Sequence, residues 1–253
     1  MRRRHGVRHR ACNMAAAACL ITLLGGCGTG AATDTQRAST ATPSPSVLSG
    51  PRTVGEFDAL TLPAIAAAGT VHLHAATDNP NAQSGGRTTL DADARTSGPV
   101  NLRMAIDGPP GHADIVVLAG TVYIRQSPMR RWVRGSLGTI TSATDPGVWR
   151  LPGLNGTTRG LAAAYGGTHP IEQIADRRYA LHLTTAERLA ALPDGLRAQL
   201  RGSAEEGSGP TIVQLTLDDR DRPVKEIIDG PTGTVQIDYS RWGAPVDITA
   251  PAT

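Results

Sequence analysis

The chain has 253 residues, a formal net charge of +3 and three cysteines, and 40% of its residues are hydrophobic but only 3% aromatic. That length suits one domain with tails, and three cysteines are too few for the disulfide framework of a small secreted scaffold. Residues 1–26 hold five arginines and no carboxylate, so removing them takes the formal charge from +3 to −2, and the basic balance is no sign of a nucleic-acid partner.

Those arginines, Arg2, Arg3, Arg4, Arg8 and Arg10, precede a short apolar run, Ala15–Leu24, and the small pair Gly25-Gly26. A basic start, a short apolar stretch and small residues at its end form a secretory signal. The run is too short to cross a hydrocarbon core, which needs about 20 apolar residues in a helix. Leu24-Gly25-Gly26-Cys27 resembles the bacterial lipobox. The resemblance implies that Cys27 is diacylated, becomes the first residue, is N-acylated, and holds the protein to the outer face of the cytoplasmic membrane. Cys12 and Cys19 leave with the signal, so no disulfide, thiolate metal site or cysteine nucleophile is expected. The expected organisation is signal peptide 1–26, lipidated cysteine and linker 27–53, and one folded domain 54–253.

From Gly28 to Arg52 the chain is mostly Thr, Ser, Ala, Pro and Gly. Such a segment buries too little to offset chain entropy and is expected to be disordered, with a reach of roughly 25–30 Å. Val54–Ala68 has helical spacing interrupted by Pro63, which predicts a short or broken helix. In Thr70–Thr77, Val71, Leu73 and Ala75 alternate with His72 and His74, a strand with one buried face. His-x-His puts both rings on one side, but no third ligand appears at suitable spacing, so a solvated face is expected.

Hairpins follow. Thr88–Arg95 is polar; Val100, Leu102, Met104 and Ile106 alternate with polar neighbours; Asp114–Leu118 and Thr121–Arg125 turn at Ala119-Gly120; Arg131–Arg134 is a further short strand. Asp145–Ala175 reads as short helices, Arg177–Leu183 as a strand, and Thr185–Leu200 as a helix capped by Thr184 or Thr185 with Glu187 and split at Pro193-Asp194-Gly195. Thr211–Leu217, Val224–Asp229 and Thr232–Tyr239 close the chain as three strands. The aspartates between the first two do not match a calcium loop and predict a charged hairpin tip.

About nine to eleven short antiparallel strands with few helices predict an α+β fold. Its expected form is a single strongly curved antiparallel sheet, a half-barrel, with the helices on its concave side. Small apolar residues fill such a concavity poorly, which predicts either an unfilled apolar cavity or a well-packed core of the same residues. The expected lining is Val100, Leu102, Met104, Ile106, Ile115, Val117, Val213, Leu215, Leu217, Val235, Ile237 and Tyr239 from the strands, closed by Leu189, Leu192 and Leu196. Trp242 is expected to plug the sheet end.

The tail Thr234–Pro251, with Tyr239-Ser240-Arg241-Trp242-Gly243 at its centre, resembles the closing motif of the actinobacterial LppX/LprG lipoprotein family. Ala113–Ile124, followed by Trp132, is similar to that family's central hairpin. The resemblance implies a LolA/LolB-like half-barrel that holds acylated lipids or glycolipids and carries or presents them across the envelope. The polar, Gly-rich segment Asn79–Gly98 departs from the family pattern. No nucleophile elbow, phosphate loop, dinucleotide fingerprint or zinc-protease motif occurs, and His112, His169, His182 and Glu205-Glu206 are scattered in polar settings. No enzyme activity, cofactor or metal is therefore expected. An adaptor or accessory subunit of a membrane transporter is the alternative reading.

Overall fold

Period-two alternation places one set of side chains of each strand on a common face. The computed structural model describes residues 50–79, 86–99, 101–108, 111–136, 154–191, 209–231 and 233–252. The strands are β1 (Thr70–Asn79), β2 (Gly86–Arg95), β3 (Asn101–Gly108), β4 (Gly111–Leu118), β5 (Thr121–Gln126), β6 (Val133–Ser136), β7 (Glu172–Ala175), β8 (Arg178–Leu183), β9 (Thr211–Leu217), β10 (Pro223–Gly230) and β11 (Gly233–Ser240). The helices among these residues are α1 (Val54–Ala68), α2 (Leu154–Tyr165) and α3 (Thr185–Ala190).

All eleven strands form one open sheet in the order β6-β5-β4-β3-β2-β1-β11-β10-β9-β8-β7. Every pairing is antiparallel, and the half-barrel expected from the sequence is the observed architecture. It consists of two meanders, β1–β6 and β7–β11, joined by a single non-sequential pairing of β1 with β11 that runs from His72↔Ser240 to Asp78↔Thr234. The chain between β6 and β7 must pass from one sheet edge to the other. Helix α2 lies in that passage, while α1 precedes β1 and α3 lies between β8 and β9.

Helix α1 starts at Thr53, whose Oγ1 accepts from the Glu56 N–H, while Glu56 accepts from the Arg52 N–H. Contrary to the expectation from Pro63, the helix is continuous. Pro63 lies on the exposed side, so its ring meets solvent and only one helical hydrogen bond is lost. Val54, Phe57, Thr61 and Ile65 meanwhile bury one face on both sides of it. Gly69, at φ 77°, ends the helix and turns the chain into β1.

Two core clusters fill the concave side. One joins the inner faces of β1–β5 and β11 and takes Ile65 from α1. The other packs Val54 and Phe57 of α1 and Leu161 of α2 on Tyr179, Leu181, Val213 and Leu215 of β8 and β9. Ile228 of β10 touches both. Outside, a third cluster forms where Ile248 of the C-terminal tail covers Val116 and Tyr123.

The 145–175 region differs from the expected run of short helices, since Glu172–Ala175 is a strand. Ile171 and Ile174 share a helical spacing, but Arg177, at φ 52°, turns the chain back and Gln173 pairs with Tyr179. The capping box of Thr184 and Glu187 is present; the rest of the expected Thr185–Leu200 helix beyond Ala191 lies outside the described residues. The signal, the linker before Gly50, Cys27, Val100, Leu192 and Leu196 lie outside them too.

Helices α2 and α3 meet at Gly160, where an added Cβ would overlap the Ala191 carbonyl oxygen. Gly160→Ala should therefore lower stability by roughly 1–3 kcal/mol, read as a reduced urea midpoint with an unchanged slope. An unchanged midpoint would contradict this packing.

Candidate functional site

The register aligns inward-facing side chains into rows across the sheet. One row runs Val133, Ile124, Ile115, Met104, Ala92, Leu73 and Tyr239, from edge strand β6 to β11. The next runs Ala113, Ile106, Leu90, Ala75, Ile237, Glu226, Leu215 and Tyr179. On either side lie Val122, Val117, Leu102, Ala94 and Val71, and Val235, Ile228, Val213 and Leu181. The concave face is thus an apolar surface continuous over both meanders. On β1 and β2 it mixes small side chains, Ala75, Ala92 and Ala94, with Val71, Leu73 and Leu90.

The structure brings the expected strand residues onto this face but divides them. Leu102, Met104, Ile115, Val117, Ile237 and Tyr239 are buried in the first cluster, with Ile106 and Val235 half-buried beside it. Val213, Leu215 and Leu217 are buried in the second, under the helices. Leu189 of α3 is half-buried.

The sequence reading missed Glu226, which is 0% exposed in the middle of this face. Alternation counted from buried Pro223 would point Lys225 and Ile227 inward. A bulge between Pro223 and Lys225 shifts the phase, so Glu226 sits between Leu215 and Ile237. Tyr239 donates its hydroxyl to Glu226 at 2.7 Å. Tyr239 in turn stacks on Trp242 at 6.4 Å between centroids, and Trp242 donates its indole N–H to the Pro223 carbonyl at 2.9 Å. Trp242 closes the end of the first cluster while staying half-buried, with Arg222 over its ring. No spacing signal revealed Glu226, because a bulge is a backbone event.

On the convex face the strand pairing supplies what the sequence spacing did not. His72 and His74 lie directly across from Asp93 and Asp91, each with Nδ1 at 2.9 Å from a carboxylate oxygen. Asp91-x-Asp93 shares the period of His72-x-His74, a relation across the pairing that spacing within one strand does not express. Among the described residues no group of three or more His, Cys, Asp or Glu could hold a metal ion. His112 is held above its usual value first by its hydrogen bond to Asp107, against a smaller effect of burial.

The β9–β10 tip is the charged hairpin expected. Asp218 accepts from the Arg220 and Arg222 N–H groups and from the Arg222 guanidinium at 2.7–2.9 Å. Burial alone would push the Asp218 carboxyl up, but these hydrogen bonds outweigh it and hold it below the ordinary carboxylate value.

No protein-family model matches the sequence, and no curated protein matches it. The structure is similar to LprF from Mycobacterium bovis, with a TM-score of 0.48 and 18% identity over 79% of this chain and 97% of that one. It is also similar to the lipoprotein LppX from Mycobacterium tuberculosis, with a TM-score of 0.46 and 16% identity over 78% and 98%.

Two outcomes follow from these contacts. Trp242→Ala should cost roughly 2–3 kcal/mol, below the ~3–5 kcal/mol of a fully buried ring, while Trp242→Phe should keep most of it; a cost near zero would place the ring outside the core. A depressed carboxylate contributes stability that is present above its unfolded value and lost as pH falls through its folded value. The stability gap between the parent and Asp218→Asn should accordingly be full at neutral pH and shrink on acidification below about pH 4. A gap independent of pH would refute the pairing.

Proposed function

We propose that this protein is an exported lipoprotein, anchored through acylated Cys27, that holds the acyl chains of a lipid or glycolipid on its concave face and carries or presents it across the envelope. The continuity of the apolar rows from β6 to β9 is the observation that supports this reading most. Acyl chains need a wide, dry and unspecific apolar surface, worth about 25 cal/mol per Å² removed from water. Glu226 with Tyr239 adds a polar point within the face that can select a hydroxyl or amide. The Leu24-Gly25-Gly26-Cys27 segment and the Tyr239–Gly243 tail, which resembles the LppX/LprG closing motif, support the same reading. Among the described residues no helix is long and apolar enough to cross a membrane.

The test places a charge on the face where folding tolerates it. Leu215, 1% exposed beneath the helices, is a poor choice because a carboxylate there would unfold the domain. Half-buried Ile106 and Val235 are better. Ile106→Asp and Val235→Asp, each folded by circular dichroism, should take up fluorescent diacyl lipid from vesicles about tenfold less than the parent, a change of about 1.4 kcal/mol. Uptake equal to the parent's would refute lipid binding on this face. Separately, Cys27→Ala should abolish acyl incorporation and partitioning into detergent; normal partitioning would refute the anchor.

A further inference from the structure

We infer that the β5–β6 hairpin is a docking lip for an anionic lipid surface. From Ile115 to Thr144 the sequence has four arginines and no carboxylate, in a chain whose charge after residue 26 is −2. The arginines cluster at one place. Arg125 is engaged by Asp114 at 2.7 Å and lies 4.9 Å over the Trp132 ring. Arg130, Arg131 and Arg134 are exposed and make no ion pair with any described residue.

Apolar side chains stand beside them. Of the large hydrophobic residues exposed among those described, Met129 (40%) and Val133 (50%) both belong to this hairpin. Trp132 packs against the outer cluster with Tyr123 and Ile248, which fixes the hairpin to the body and leaves the tip presented. A rigid tip of arginines with Met, Val and Trp matches an interface of anionic head groups over acyl chains. The negative charge elsewhere turns the molecule so that this tip faces the membrane.

The lip also connects to the concave face. Val133 pairs with Ile124 and heads the row that runs through Ile115, Met104, Ala92 and Leu73 to Tyr239. It sits on edge strand β6, where the sheet is open. A chain leaving the bilayer beneath Met129 therefore meets an unbroken apolar path. This route rests on the lipid-binding reading above; the docking itself does not.

The experiment is flotation of the chain from Cys27 onward, carrying Cys27→Ser to remove the anchor, with vesicles of neutral phosphatidylcholine or of phosphatidylcholine with phosphatidylglycerol. Binding should require phosphatidylglycerol and weaken with salt. A basic side chain near an anionic surface strengthens partitioning about fivefold, so R130E/R131E/R134E, which removes three attractions and adds three repulsions, should lose binding by at least about 100-fold. Met129→Ser, which removes the apolar side chain and adds no charge, should weaken it without altering the salt dependence. Both variants should keep the parent's unfolding transition, because all four side chains are exposed. Equal binding by parent and charge-reversal variant, or binding indifferent to phosphatidylglycerol, overturns the lip. Lipid uptake measured on the same samples separates the two ideas: hairpin-dependent flotation without uptake sustains the lip and refutes the carrier, and uptake with hairpin-independent flotation does the reverse.

Discussion

The pairing of β1 with β11 holds the fold together. Among the described residues it is the only pairing between strands that are not consecutive in the chain, and without it the sheet would be two separate meanders, each with an apolar face and two open edges. Its register is fixed by burial. A slip of one residue would turn Val71, Leu73 and Ala75 to solvent and bring His72 and His74 with their aspartates into the core. The pairing also makes the concave face continuous, because the rows cross from one meander to the other at Leu73–Tyr239 and Ala75–Ile237. Formation of the functional surface therefore waits on the last strand of the chain, and the long loop this closes is entropically costly.

The two faces of the sheet follow different chemistry. The convex face is a lattice of polar contacts, including His72–Asp93, His74–Asp91, His112–Asp107 and the ion pair Arg125–Asp114. Such exposed pairs contribute little stability each, but they keep the outer face wet along its length. Only where the tail crosses does it become apolar, with Ile248 on Val116 and Tyr123. The concave face is apolar apart from Glu226 with its tyrosine partner and the buried threonines Thr77 and Thr211. Burial of a carboxylate costs free energy unless it is well hydrogen-bonded, and the 2.7 Å bond from Tyr239 offsets part of that cost.

Much of this was legible in the sequence because strand alternation is a strong and local signal. The strand residues named in advance, from Leu102 to Tyr239, lie on one face of one sheet, since period two leaves no other arrangement once one face is buried. The misses have local causes. Pro63 was read as a break, but an exposed proline held by buried neighbours on both sides only perturbs a helix. Ile171 and Ile174 imitated helical spacing where a left-handed turn at Arg177 makes a hairpin. Glu226 was hidden by a bulge, and the carboxylates opposite His72 and His74 by a pairing that spacing within one strand cannot express.

Native mass spectrometry of the protein released from envelope membranes bears most directly on the central claim. A lipid held on the concave face predicts a population heavier than the acylated chain by the mass of a bound lipid, which is lost on collisional activation and much reduced in Ile106→Asp. A single mass equal to the acylated chain alone, unchanged after incubation with diacyl lipid vesicles, would contradict it.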